Sequence, residues 1–331
     1  MDIAVLIAPI DKEHLMKIIV ALLVIASYGL VTSDRVAIAD EAADQKAVLV
    51  TGASSGIGLL IAEKLAANGF YVYAGARKKE DLERLDAMDN MSAVRLDVTV
   101  QSDVDAAVAF VNGEGRGLWG IVNNAGVVSL SPLVTGSEEA VRFTFAVNVF
   151  GPVRVNNAFL PLVLESGGRT TTIGSISGYI AGSEDGGYSA SKFAMEGYTD
   201  SLASELEESG VHVSIVDPGG YKSKIREKML EQLLASADAG KIELSDERRA
   251  ELIKTNMGNE SLTEADDVAK AVLHVMSSDE PRRRYMVTPN EEQARMTITA
   301  ALKRLLELNE GQQFSYDRDE LIGLLDELLE Q

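Results

Sequence analysis

Tyr188 and Lys192 stand four residues apart in Tyr188-Ser-Ala-Ser-Lys192, inside a run of good helix formers. At that spacing the two side chains share one helix face, a turn apart. A phenol keeps its proton to about pH 10. A fixed ammonium beside it favours the phenolate and draws that value toward neutrality, so Tyr188 could trade a proton with an alcohol or a ketone. Such pairs are also common on solvated helix faces, so the chemical reading depends on a cofactor site and a substrate clamp around them. Catalysis here has to use Tyr, Lys, Ser or carboxylates. There is no cysteine, which excludes disulfides, thiolate catalysis and Cys-ligated metals. His14, His212 and His274 are too scattered to signal a metal site or a histidine-based triad.

The elements that would position the pair begin at Lys46. Ala47–Val50 is a short apolar run, expected as a buried strand. Thr51-Gly-Ala-Ser-Ser-Gly-Ile-Gly58 follows at once, then an amphipathic helix from about Leu59 to Asn68. Strand, glycine-rich turn and helix make a phosphate-binding unit. Gly52 permits the tight turn, Gly56 admits the pyrophosphate to the backbone, and Gly58 lets the helix close on the sheet. Phosphates would meet N–H groups at the helix N-terminus. Phe70–Ala74 is the expected second strand, and the residue at its end selects the dinucleotide. A carboxylate there accepts from a ribose 2′-OH, whereas a guanidinium binds a 2′-phosphate. Gly75-Ala76-Arg77-Lys78-Lys79 holds no acid before Glu80. That favours NADP(H) over NAD(H), with Arg77 as the clamp; the alternative is that Arg77 caps a surface turn.

A third strand is expected over Ala93–Val98, with Asp97 where an adenine edge could lie. A helix near 101–112 follows, then a fourth strand from Trp119 into Asn123-Asn-Ala-Gly126. Trp119 is expected to pack the strand's entry rather than bind a ligand. A long helical segment covers 137–165, and Asn148 within it, between two valines, needs a partner if buried. Thr170–Gly174 is a fifth strand landing on Ser175-Ile-Ser-Gly178. The Tyr188 helix should run to about Ser209, and Val211–Val216 is a sixth strand, broken by Pro218-Gly219. Residues 222–262 are charged and helical in pattern. A helix near 264–278, a strand at Arg284–Val287, and helices near 291–309 and 317–329 complete the chain.

Strands alternating with helices define an α/β protein: a single Rossmann-like, doubly wound parallel sheet of about seven strands, with helices on both faces and extra C-terminal helices. The 331 residues, 46% apolar, suffice for a sizeable core, and the net charge of −20 repels nucleic acid and anionic membranes. The expected organisation is an N-terminal extension over 1–45, a dinucleotide-binding catalytic domain over 46–290 and a helical extension over 291–331. In the first, Met16-Lys17 precedes the uncharged Ile18–Ser33, and Ala37-Ile38-Ala39 leads to Asp40. A basic flank, an apolar run and an A-x-A site resemble a secretory signal or an anchor. The run is shorter than the ~20 residues of a comfortable span, so a packed helix, or translation beginning at Met16, are the alternatives.

Four signals occur in one order: Thr-Gly-x-x-x-Gly-x-Gly at 51–58, Asn-Asn-Ala-Gly at 123–126, Ser175, and Tyr188-x-x-x-Lys192, with Pro218-Gly219 behind them. Together they resemble the short-chain dehydrogenase/reductase family over residues 46–290, most of all its hydroxysteroid and retinol dehydrogenase branch and bacterial relatives. The resemblance implies an NAD(P)(H)-dependent enzyme that interconverts a ketone or aldehyde with an alcohol. It implies Tyr188 as general acid/base, Lys192 lowering its pKa and holding the nicotinamide ribose, Ser175 on the substrate oxygen, and Asn148 holding a water between Lys192 and solvent. Gly52, Ser54, Ser55, Gly56, Ile57 and Gly58 would line the phosphates, and Asp97 with Val98 the adenine. Asn124, Ala125 and Gly126 would wall the ribose, and Pro218 and Gly219 would place the nicotinamide amide. Ser223 stands where the family usually has threonine, keeping a hydroxyl. A homo-oligomer, dimer or tetramer, is also implied.

Ser183-Glu184-Asp185, just before Tyr188, departs from the branch, because two carboxylates at the mouth oppose a greasy or an anionic substrate. Two other readings are a dinucleotide-binding regulatory protein that lost turnover and a nucleotide-sugar epimerase. The complete Asn148, Ser175, Tyr188 and Lys192 set speaks against the first, and the glycine spacing against the second. Because NADP(H) is a cytosolic currency, the catalytic domain is expected in the cytoplasm, with residues 18–33 as any membrane contact.

Overall fold

The computed structural model describes residues 45–330 apart from 129–132, 135, 223–229, 232–233, 236, 239, 241–243 and 258–262. The N-terminal apolar run and Ser223 therefore lie outside the described residues. The strands are β1 (Ala47–Val50), β2 (Tyr71–Ala76), β3 (Met91–Arg95), β4 (Gly120–Asn123), β5 (Arg169–Ile173), β6 (His212–Pro218) and β7 (Arg284–Val287). They form one seven-stranded sheet in the order β3-β2-β1-β4-β5-β6-β7, and every pairing is parallel.

Helices α1 (Gly56–Ala67), α2 (Lys79–Asp86), α3 (Gln101–Glu114), α4 (Glu138–Asn148), α5 (Phe150–Ser166), α6 (Gly186–Glu205), α7 (Asp246–Met257), α8 (Asp266–Ser277), α9 (Glu291–Asn309) and α10 (Arg318–Leu329) follow in chain order. The period of two along β1 shows how the layers are built. Val48 and Val50 enter a core with Ile61 and Leu65 of α1 and Val268 and Val272 of α8. Ala47 and Leu49 face the other way, onto Val104 of α3 and Val155 and Phe159 of α5. A strand buried on both faces has to be apolar throughout, as this one is.

The sheet order reverses between β1 and β4. The loops leaving their C-terminal ends diverge there and open the crevice where doubly wound folds bind ligands. Several boundaries differ from expectation. The helix expected over 137–165 is two helices, α4 and α5, separated at Val149. Pro152 stands four residues after Asn148 and has no N–H to give its carbonyl, so the helical ladder cannot run on unbroken. β6 continues through Pro218, which pairs in register with Val287, and Gly219 extends the contact by donating to the Val287 carbonyl at 2.8 Å. The break expected at Pro218-Gly219 thus falls after the proline. β3 begins at Met91 and ends at Arg95, which puts Asp97 just beyond the strand. Trp119 packs the entry of β4, its indole donating to the Met276 carbonyl at 3.0 Å. No described helix is long and apolar enough to cross a membrane.

Candidate active site

The glycine-rich turn is pinned from two sides. Thr51 Oγ1 accepts from the N–H groups of Asn124 (3.0 Å) and Ala125 (2.9 Å). Asn124 Nδ2 donates to the carbonyls of Thr51 (2.9 Å) and Gly52 (3.2 Å). Gly52 and Gly56 adopt φ of +67° and +58°, the left-handed region that glycine enters without strain. A Cβ on Gly58 would collide with the Gly52 carbonyl oxygen and the Asn124 amide, so only glycine lets α1 seat this close to the turn. Gly56 has open space where a side chain would stand. The first turn of α1 carries no acid, and Ser55 makes no side-chain cap bond there. These features fit a dinucleotide pyrophosphate.

Gly52, Ser54, Ser55, Gly56, Ile57 and Gly58 line one cleft of about 980 Å³. Arg77, Asp97, Val98, Asn124, Ala125 and Gly126 line it too, as do Ser175, Tyr188, Lys192, Pro218 and Gly219. Arg77 is 68% exposed at its side chain, and its Nη1 lies 3.4 Å from Asp97 Oδ2. Burial works to raise the Asp97 pKa. The N–H and hydroxyl of Thr99 and the Arg77 charge outweigh it and hold the carboxyl below its usual range.

The reacting end is built on α6 and the C-terminal ends of β5 and β6. Lys192 is 7% exposed. Its Nζ donates to the Ile173 carbonyl at 2.8 Å and lies 5.6 Å from the Tyr188 ring centroid. Burial pulls its pKa down to about 8, with the charges of Asp217 and Glu196 opposing the fall. Ser175 Oγ accepts from the Ser177 N–H at 3.1 Å, which fixes the hydroxyl where the chain leaves β5. Asn148, buried as its apolar neighbours suggested, does find partners. Its Oδ1 accepts from the Val127 N–H (2.8 Å), and its Nδ2 donates to the Val127 carbonyl (2.9 Å) and to Ser191 Oγ (3.0 Å). Its side chain is thereby committed to holding the Gly126–Val127 wall against α6, and Asn148 is not among the cleft-lining residues.

At the mouth, Glu184 pairs with Arg248 of α7, which also meets Glu251 at 2.7 Å. One of the two mouth carboxylates is therefore paired with a cation 64 residues away in the chain. Phe143, Val147, Leu252 and Met296 add apolar surface around this end. Sequence reasoning missed Gln293 of α9, whose Oε1 accepts from the Gly220 N–H at 2.7 Å and so fastens the loop after β6. It also missed Glu196 and Asp217 behind Lys192. Glu196 stands one turn beyond Lys192 on α6, and Asp217 immediately precedes Pro218, so the signal was a carboxylate beside a residue already marked.

A parallel doubly wound sheet carrying a glycine-rich turn, a Tyr-x-x-x-Lys helix and a serine at one crevice defines a dinucleotide-dependent dehydrogenase. The chain belongs to the short-chain dehydrogenase family, whose model matches residues 46–234. It is 33% identical over 264 residues to the mitochondrial D-beta-hydroxybutyrate dehydrogenase of Bos taurus, covering 72% of this chain and 76% of that one. It is 34% identical over 250 residues to the 3-amino-tetrahydro-pyrrolizinone reductase of Xenorhabdus hominickii, covering 73% and 87%. Among solved structures, an actinorhodin polyketide ketoreductase with NADPH superposes with a TM-score of 0.62 at 27% identity, over 75% of this chain and 96% of that one. The chain is thus an oxidoreductase acting between carbonyl and alcohol groups.

Proposed function

We propose that the chain is an NADP(H)-dependent carbonyl reductase and alcohol dehydrogenase with Tyr188 as its general acid/base. The observation that carries this reading is the buried Lys192 ammonium beneath Tyr188, in the same cleft as the phosphate-binding turn. A nicotinamide dinucleotide supplies the hydride when bound. The turn from Gly52 to Gly58 and the N-terminus of α1 hold its phosphates, Asp97 and Val98 flank the adenine, and Asn124 to Gly126 wall a ribose. Pro218 and Gly219 place the reacting ring, with Gln293 fastening their loop.

In reduction, negative charge grows on the carbonyl oxygen. Donors fixed in advance on that oxygen stabilise it most, and Ser175 and Tyr188 are those donors. Tyr188 then gives up its proton, and Lys192 stabilises the phenolate left behind. Oxidation runs the same groups backward. Because Pro152 offers no N–H to the Asn148 carbonyl, that oxygen is suited to hold a water that reprotonates the couple from solvent. Arg77, which follows β2 directly with no acid before Glu80, supports choice of the 2′-phosphate. The ketoreductase with NADPH and the hydroxybutyrate dehydrogenase both support a ketone/alcohol pair as substrate.

The test is NADPH oxidation across a panel of small ketones and aldehydes, with Tyr188→Phe as comparison. Removing the transferable proton while keeping the ring should cut turnover at least ~100-fold, the usual scale for a general acid/base, and leave NADPH binding nearly intact. Turnover within a few-fold of the parent would overturn the mechanism.

A further inference from the structure

The loop that leaves β6 has no backbone donor to spare. Pro218 carries no N–H. The Gly219 N–H goes to the Val287 carbonyl at 2.8 Å, and the Tyr221 N–H turns back onto the Gly219 carbonyl at 3.0 Å. The Lys222 N–H reaches the Thr263 carbonyl at 3.0 Å. The remaining one, on Gly220, is taken at 2.7 Å by Gln293 Oε1. A nicotinamide carboxamide laid against this loop brings an oxygen that needs a donor, and the backbone from Pro218 to Lys222 offers none. Gln293 is itself firmly seated. Its N–H goes to the Asn290 side chain at 3.0 Å, and its carbonyl accepts from Thr297 Oγ1 at 2.8 Å. Thr297, 2% exposed, is the one described residue of α9 that is buried. A Cβ on Gly219 would run into Gln293 Oε1 and stand 3.0 Å from Pro289 Cδ, so a glycine there lets the glutamine lie against the loop.

We propose that Gln293 binds the nicotinamide directly: Oε1 takes the Gly220 N–H, and Nε2 donates to the carboxamide oxygen in place of the backbone. Only the oxygen of a primary amide can accept from an N–H. The nitrogen of the same amide therefore points elsewhere, carries two donor hydrogens and meets no acceptor among the described residues. Gln293 lines the cleft together with Pro218, Gly219 and Gly220, so that nitrogen stands beside the loop whose own donor it has consumed. The side chain takes one donor out of the loop and returns another on the same amide. A held carboxamide also fixes the rotation of the ring, and with it the face turned toward the substrate. Gln293 has this role only if the cleft holds a nicotinamide dinucleotide, as proposed above. The acid/base part given to Tyr188 and the choice between 2′-phosphate and 2′-OH do not enter.

Fluorescence titration of the full chain with two pairs of ligands isolates this contact. The pairs are NADPH with 2′-phospho-ADP-ribose and NADH with ADP-ribose, the second member of each lacking the nicotinamide. Gln293→Glu keeps an acceptor for the Gly220 N–H and loses both donors, whereas Gln293→Met loses acceptor and donors alike. Gln293→Glu should bind the reduced dinucleotides ~10-fold more weakly than the parent, the scale of leaving one polar group unpaired. It should bind the ligands without nicotinamide within about 2-fold of the parent, since their contacts are untouched, and unfold at the same temperature. Gln293→Met should weaken the dinucleotides at least as much. If Gln293→Glu keeps the parent's affinity and only Gln293→Met is weakened, Gln293 merely fastens the loop and the donor role is overturned. Equal weakening of both members of a pair overturns it as well, because the nicotinamide is then not what is held. A parent that binds none of the four ligands sinks the dinucleotide site, and the role of Gln293 with it. If Gln293→Met fails to fold, Gln293→Glu still decides.

Discussion

In the proposed mechanism, the pH behaviour turns on Lys192. Its ammonium sits in the interior, and burial lowers its pKa from 10.5 to about 8. Below that value the charge is present and supports proton transfer from Tyr188; above it the lysine is neutral and the support is lost. In carbonyl reduction, kcat/KM should therefore fall above about pH 8, and a profile level to about pH 10 would contradict the role given to Lys192. Arg77 is proposed to set a different property, the choice of dinucleotide. Arg77→Asp removes a charge-assisted partner of a 2′-phosphate and supplies an acceptor for a free 2′-OH. The ratio of specificity constants for NADPH and NADH should shift toward NADH by at least ~10-fold, and a parent that already prefers NADH would sink the assignment. Tyr188 and Lys192 were marked in the sequence by a local spacing and Ser175 by the family resemblance, and the structure brings all three to one cleft. The Glu196–Arg284 ion pair was not so marked, because it arises only when β7 comes beside α6 and joins residues with no periodic relation. Arg248 is the same case at the mouth, pairing with Glu184 from a helix whose placement no local pattern gives.

At the scale of elements, the close seat of α1 on the glycine-rich turn is the joint on which the proposed cofactor binding depends. Gly58→Ala would press a methyl group into the Gly52 carbonyl and the Asn124 amide, parting the helix from the turn and disturbing the bonds from Asn124 that brace it. A fall of about 1–3 kcal/mol in stability is expected, with dinucleotide affinity reduced at least ~10-fold, measured by thermal unfolding and fluorescence titration. Gly197→Ala is the matched comparison. Gly197 lies in α6 with nothing within 4 Å of the added carbon, and it should gain roughly 0.5–1 kcal/mol. Equal losses from the two changes would show that the α1 contact has no special importance. Element order and type were readable because strand–helix alternation carries two distinct periods. The α4–α5 break was missed although Pro152 announces it, because an apolar helical pattern continues across it. The hold of α9 on the loop after β6 was missed because Gln293 looks like any polar residue in a helix's first turn.

For the whole molecule, the described contacts begin at Lys46: its carbonyl accepts from the Tyr71 N–H at 3.0 Å, and its Nζ stands 3.6 Å over the Trp119 ring. Residues from Lys46 onward form a compact unit by themselves. With β1 starting at Ala47 and the glycine-rich turn at Thr51, every residue assigned to the cofactor or to the chemistry lies inside that unit. A chain beginning at Asp40 should therefore fold, bind NADPH and turn over within about 2-fold of the full chain, since it keeps the whole of that unit. Thermal unfolding should likewise agree between the two. A clear drop in either would mean that residues before 40 support the catalytic unit. The same comparison addresses location, because NADP(H) is held in the cytosol and an exported free enzyme would lack it. If residues 18–33 meet a membrane, the full chain should sediment with it, resist salt extraction and leave its catalytic unit open to protease on the cytoplasmic side, while the shortened chain stays in the supernatant. Recovery of a chain cleaved after Ala39 from an extracytoplasmic fraction would overturn both the cytoplasmic placement and the NADP(H) assignment.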